Sequence, residues 1–138
     1  MSARPRAYLI CTSPRSGSTL LCHMLRACDG AGWPGSHFHE PDVAAWRQAH
    51  ALAEAAPLGA VFDAGEAAGR REEALFGLRL QRRSAPYFFG TLRQVHPAVH
   101  SDRDAFEAQF GATVFIHLER EDATAQAVSF VKAEQVGL

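Results

Sequence analysis

Apolar and polar positions alternate along the chain so as to mark out short strand-like runs, several of which pass directly into stretches at helical spacing. Residues 8–12, Tyr-Leu-Ile-Cys-Thr, form an apolar run of the kind that is buried inside a sheet. From Ser18 onward the period changes: Leu20, Leu21, Met24 and Leu25 fall on one face of a helix, which is expected to end near Cys28-Asp-Gly30. Leu75-Phe-Gly-Leu-Arg-Leu80 alternates enough for a second core strand. Thr113-Val-Phe-Ile-His-Leu118 is β-branched and aromatic throughout and is the clearest strand of the three.

Further helices are expected between these runs. An Ala-rich stretch over 46–56 stops before Pro57, and a loop from Leu58 leads into a frayed helix over 64–74, its start blurred by Gly59 and Gly65. Over 86–96, Tyr87, Phe88, Leu92 and Val95 make an aromatic face to pack on the sheet. Ser101 or Asp102 caps a short helix closed by Gly111, and Asp122 caps a last helix over 123–134.

Composition narrows the picture. With 138 residues, 47% hydrophobic and 21% charged, residues 1–138 are expected to form one soluble globular domain. A formal net charge of -1 argues against a nucleic-acid binder, so any recognition of anions must be local. Cys11, Cys22 and Cys28 are odd in number and lack metal-ligand spacing, which reads as buried free thiols in a reducing compartment. No apolar run approaches the roughly 18 residues of a membrane span, and Met1-Ser-Ala-Arg-Pro-Arg6 leads into a strand instead of a signal-peptide core; a cytoplasmic location is expected. Pro97 between His96 and His100 breaks the helix that a ligand pair would need, so no metal is expected.

The candidate chemistry sits where the first period changes. Ser13-Pro-Arg-Ser-Gly-Ser-Thr19 joins strand to helix, and the unpaired N–H groups at the helix start favour a phosphate or sulfate in the loop. Arg15 adds a charged fork of donors, Ser16, Ser18 and Thr19 add hydroxyls, and Gly17 permits close backbone approach. One helix cap needs only one of these groups. The loop is not a Walker A motif, because it lacks the first Gly and the Lys before Ser or Thr.

Three further segments carry candidate groups. The loop over 31–42 holds Trp33, Ser36, His37, His39 and Glu40 and follows the anion-binding helix closely enough to border the same cleft. Arg79, Arg82 and Arg83 lie at or near the carboxyl end of the second strand, where ligands collect in open α/β sheets, although such a charge cluster is more often surface. Arg70, Arg71, Glu72 and Glu73 read as a solvated helix face. The third strand runs into Glu119-Arg-Glu-Asp122, with Arg120 at its end and Ser129 about two turns into the helix that follows.

Taken together, Ser13-Pro-Arg-Ser-Gly-Ser-Thr-Leu-Leu21 and Leu118-Glu-Arg-Glu-Asp-Ala-Thr-Ala-Gln-Ala-Val-Ser129 resemble the two nucleotide-binding elements of sulfotransferases, and most of all the bacterial trehalose-sulfotransferase type, the Stf family. The resemblance implies an α/β, three-layer P-loop-like fold with a mainly parallel sheet flanked by helices, ending at about half of the family's domain. It implies 3′-phosphoadenosine 5′-phosphosulfate (PAPS) as sulfuryl donor. Pro14, Arg15, Ser16, Gly17, Ser18 and Thr19 would hold its 5′-phosphosulfate, and Arg120 and Ser129 its 3′-phosphate. Arg15 would also meet charge developing on the leaving phosphate.

Two departures from the family pattern matter. The stretch resembling Gly-x-Pro-x-Glu-x-Phe has Ser36 where the family's Glu, its general base, would stand, leaving His37, His39 and Glu40 as substitutes. The stretch resembling Phe-Gly-x-Lys-Leu has Arg79 in place of Lys. Trp33, Ser36 and Arg79 are the expected acceptor contacts, and the acceptor is a small molecule, a sugar or another small alcohol. A non-catalytic nucleotide-binding fragment, dimerising to bury an open edge, and a kinase-like phosphotransferase are the competing expectations.

Overall fold

The computed structural model describes residues 4–13, 16–119, 128 and 131–132. Among them three strands, β1 (Ala7–Thr12), β2 (Phe76–Gln81) and β3 (Thr113–Leu118), form a parallel sheet in the order β2-β1-β3. Parallel neighbours need long crossovers. The first contains α1 (Ser18–Arg26), α2 (Val43–Ala49) and α3 (Leu58–Arg70), and the second contains α4 (Ala85–Val95) and α5 (Asp102–Phe110). The expected last helix falls outside the described residues except at Val128, Val131 and Lys132, which are helical.

Alternation along β1 sorts the core into two layers. Ala7 and Leu9 join Phe76, Leu78 and Leu80 in packing under Val61 and Phe62 of α3, Phe88 and Leu92 of α4, and Phe106 and Phe110 of α5. Tyr8 and Ile10 face the other way, onto Cys22, Leu21 and Leu25 of α1. Helices therefore cover both faces, which gives the expected three-layer α/β arrangement and explains why the central strand is an uninterrupted apolar run. The strand with the strongest sequence signal, β3, is an edge, with Val114 46% and Phe115 37% exposed.

Several boundaries differ from the sequence expectation. The helix expected over 46–56 is α2, which begins at Val43 because Asp42 accepts from the Ala44 N–H at 3.0 Å. It stops after Ala49, where the chain turns so that the Leu52 N–H reaches the Arg47 carbonyl at 2.8 Å. The loop expected at Leu58 is already helix. Of the two glycines that blurred the start of α3, Gly59 faces open space, whereas Gly65 is a packing site: a Cβ there would lie 2.0 Å from Phe38 Cζ, and one on Gly69 further along would lie 2.5 Å from Phe76 Cε2.

Residues 71–73 are exposed, as expected, but they lie beyond the end of α3 and so do not form a helix face. Arg71 and Glu72 turn left-handed, at φ 46° and 65°. That turn lays the Arg71 guanidinium 4.0 Å from the Trp33 ring centre and lets Glu73 accept from the Gly30 N–H at 2.8 Å. Cys22 is buried and Cys11 half-buried, but Cys28 is exposed, contrary to the expectation for all three.

Candidate functional site

The carboxyl ends of the strands carry the groups with chemistry. Thr12 ends β1, and its hydroxyl donates to the Ser13 carbonyl at 3.0 Å. With that hydrogen engaged, the close Thr12–Ser16 hydroxyl contact is one in which Ser16 donates. Ser16 thereby ties the loop back to the strand that launches it. Gly17 takes φ 93°, a left-handed conformation suited to glycine, and turns the chain into α1. Ser18 is buried, and Thr19 is exposed beside it.

Arg79 joins this loop to the next. In register with Ile10 and Ile116, it projects onto the α1 side of the sheet. Its Nη1 donates to Thr19 Oγ1 at 2.9 Å and, at a longer 3.4 Å, to Ser18 Oγ, while its Nε donates to Ser36 Oγ at 2.9 Å. Its backbone N–H meets the Gly35 carbonyl at 2.9 Å, so residues 33–36 lie along the outer edge of β2. A guanidinium only donates, so all three hydroxyls accept from it and keep their own hydrogens for another acceptor. Arg79 also draws down the pKa of the Cys22 thiol, against a larger rise from burial.

The other candidates of this loop are arranged differently from one another. The Trp33 ring is already stacked, by Arg71 and by Arg26, whose guanidinium lies 4.9 Å from the ring centre and whose Nε reaches the Pro34 carbonyl at 2.9 Å. His37 Nε2 is 2.8 Å from the Trp33 carbonyl, so that nitrogen carries the hydrogen. Burial lowers the His37 pKa below the ordinary histidine value, opposed by the bond to Trp33 and reinforced by His50, Arg26 and Arg71. His39 and Glu40 are exposed and 3.9 Å apart, and the His39 carbonyl is held by Ser84 Oγ at 2.7 Å. Pro14, Arg15, Arg120 and Ser129 lie outside the described residues.

On the opposite face of the sheet, again at the carboxyl ends, is a cleft of about 260 Å³. The strand register sets Leu80, Cys11 and His117 side by side across its floor, and Ala85 and Phe89 of α4 close it. Thr12, Ser13, Arg82 and Glu119 complete the lining. Burial raises the Cys11 thiol pKa, which favours its protonated form. Sequence reasoning missed this cleft and the tie from Thr12. The signal for the cleft was the equal distance of Leu80, Cys11 and His117 from their strand ends. Among the described residues no group of three or more His, Cys, Asp or Glu is arranged to hold a metal.

A strand–loop–helix corner rich in donors, at the carboxyl ends of parallel strands with helices on both faces, defines a P-loop-like α/β architecture. Within that class the chain belongs to the Stf0 sulphotransferase family, whose model matches residues 7–138. It is 30% identical, over 168 aligned positions, to trehalose 2-sulfotransferase of Mycolicibacterium smegmatis. The alignment takes in 98% of this chain and 59% of that protein, so the chain spans about three-fifths of its relative's length.

Proposed function

We propose that this chain binds PAPS and carries out, or contributes to, sulfuryl transfer to the hydroxyl of a sugar or other small alcohol. The observation that carries this is the Arg79 bridge, which joins hydroxyls of the anion loop to Ser36 of the acceptor loop. Donor and acceptor elements are thereby locked in one geometry before any ligand arrives, which is what an in-line transfer requires.

In this scheme Arg15 and the backbone N–H groups at the start of α1 hold the 5′-phosphosulfate, and Arg120 with Ser129 the 3′-phosphate. The acceptor oxygen forms the new O–S bond. The S–O bond to the 5′-phosphate breaks with its electron pair on the phosphate, where Arg15 meets the growing charge. The acceptor proton passes to a base. His37 is poorly suited because burial disfavours its protonation, which leaves His39 and Glu40. Ser36 orients the acceptor by donating its free hydrogen.

Charge-assisted hydrogen bonds contribute about 1.5–3 kcal/mol each, so Arg15→Ala and Arg120→Ala should each weaken adenosine 3′,5′-bisphosphate by about tenfold or more. Titration calorimetry reads this directly. Unchanged affinity in both variants would overturn the assignment.

A further inference from the structure

We propose that the acceptor bears a carboxylate beside the hydroxyl that takes the sulfuryl group, and that Arg79 and Arg26 hold this carboxylate between α1 and residues 33–36. The proposal names the substrate class of the sulfuryl-transfer function above and rests on it. It starts from what the two guanidiniums already bond. Arg79 commits Nε to Ser36 and Nη1 to Thr19 and Ser18, all neutral hydroxyls, and its Nη2 has no hydrogen-bond partner among the described residues. Arg26 commits Nε to the Pro34 carbonyl, at 2.9 Å, and neither of its Nη groups has such a partner among the described residues. Its Nη2 lies against Gly35, 2.8 Å from where a Cβ on that glycine would stand. Arg79 therefore grips Ser36 from β2, while Arg26 abuts the preceding residue from the last turn of α1. Burial raises the Cys22 thiol pKa and both guanidiniums draw it down, which puts the two charges around one point of α1.

The groove is short of negative charge. Arg70, Arg93 and Arg103 each pair with a carboxylate, from Glu66, Asp102 and Glu107. Arg26, Arg71 and Arg79 pair with none among the described residues, and the first two are set on the Trp33 ring instead. The acids of the adjoining turns are engaged or face elsewhere. Glu73 takes the Gly30 N–H, Asp29 lines a depression with Arg4 and Arg6 next to the amino end of β1, and Glu72 is exposed. Neutral hydroxyls and a ring face leave a guanidinium its full charge, and Arg26 and Arg79 are half-buried, where solvent ions screen less. The donor does not need Arg26, because its phosphosulfate is assigned to the first turn of α1. A neutral sugar would leave both Nη sets unused. A carboxylate accepts two parallel N–H bonds from such a fork, and a hydroxyl on the same small body then meets the free hydrogen of Ser36.

The test compares D-glucuronate with D-glucose, which share a ring and differ only in a carboxylate in place of a primary alcohol. Each is titrated at low ionic strength into the full chain saturated with adenosine 3′,5′-bisphosphate, and binding is read from the sugar's own proton resonances. Glucuronate should bind tighter than glucose by about tenfold or more. Arg26→Gln should cut that preference by about threefold or more, and Arg26→Lys, which keeps the charge, should cut it less. Arg71→Gln, at an exposed position, should cut it by about twofold and serves where Arg26→Gln does not fold. Glucuronate that binds no better than glucose, whether both bind or neither does, would overturn the proposal. So would a preference unchanged in both glutamine variants, the result expected of a carboxylate lodged beside the anion loop instead. If the bisphosphate fails to bind while glucuronate titrated alone keeps a preference that the variants reduce, the transfer function fails and the anion-selective groove stands.

Discussion

Arg79 is the side chain on which both loops depend. Its three side-chain partners among the described residues are hydroxyls, and together they fix its planar fork. Arg79→Ala is expected to weaken adenosine 3′,5′-bisphosphate by about tenfold, the equivalent of about 1.4 kcal/mol. Arg79→Lys keeps the charge but cannot reach all three hydroxyls, and its affinity should fall between the two. Calorimetry on the three proteins orders them, and equal affinities would remove Arg79 from the site.

His37 gives a pH signature at the same scale. Its folded pKa lies below the ordinary 6.5, mainly through burial. Above that value both folded and unfolded forms are neutral and there is no effect. As pH falls below it, the unfolded chain takes a proton that the folded one resists, so stability falls with falling pH. His37→Asn should flatten the dependence of melting temperature on pH between the ordinary histidine value and more acid conditions. The donor-rich loop was legible in the sequence from its residue types, and Ser36 and Arg79 from the family motifs in which they stand. That Ser16 serves Thr12, and that Trp33 is already covered by arginines, was not, since both depend on which segments meet in space.

Between elements, α3 and the acceptor loop fit through a missing side chain. Phe38 is buried in contact with Trp46, Phe62 and Phe88, with ring centres 5.2 to 5.4 Å away, and Gly65 provides the space its edge occupies. Gly65→Ala would gain up to about 1 kcal/mol in helix propensity, yet the clash with a ring that has nowhere to swing should dominate. A net loss of about 1–3 kcal/mol is expected, seen as a lowered melting temperature. A variant as stable as the parent would show the loop free to yield. The three strands were readable from period and β-branching. The extent of α3 was not, because glycine lowers helical propensity in isolation and its use against Phe38 and Phe76 appears only when the layers are packed.

For the whole molecule, the sheet divides the labour: α1 and the anion loop on one face, the cleft and α4 on the other, with both opening at the carboxyl ends. The three-layer fold was legible through the family motifs, in agreement with the apolar run of the central strand; that β3 is a partly exposed edge was not, because its sequence is as apolar as a buried strand's. Arg120 and Ser129, proposed to hold the 3′-phosphate, lie outside the described residues. Among the described residues no helix is long and apolar enough to cross a membrane. In the proposed function, one nucleotide with acidic groups at both its 3′ and 5′ positions spans the two strand–helix corners. Thermal shift with adenosine 3′,5′-bisphosphate, AMP, and ATP with Mg tests it most directly, since a ligand at about a hundred times its Kd adds about 2.7 kcal/mol of stability. The bisphosphate should stabilise the chain at concentrations where AMP and ATP with Mg do not; an equal or larger shift with AMP or with ATP and Mg would contradict it.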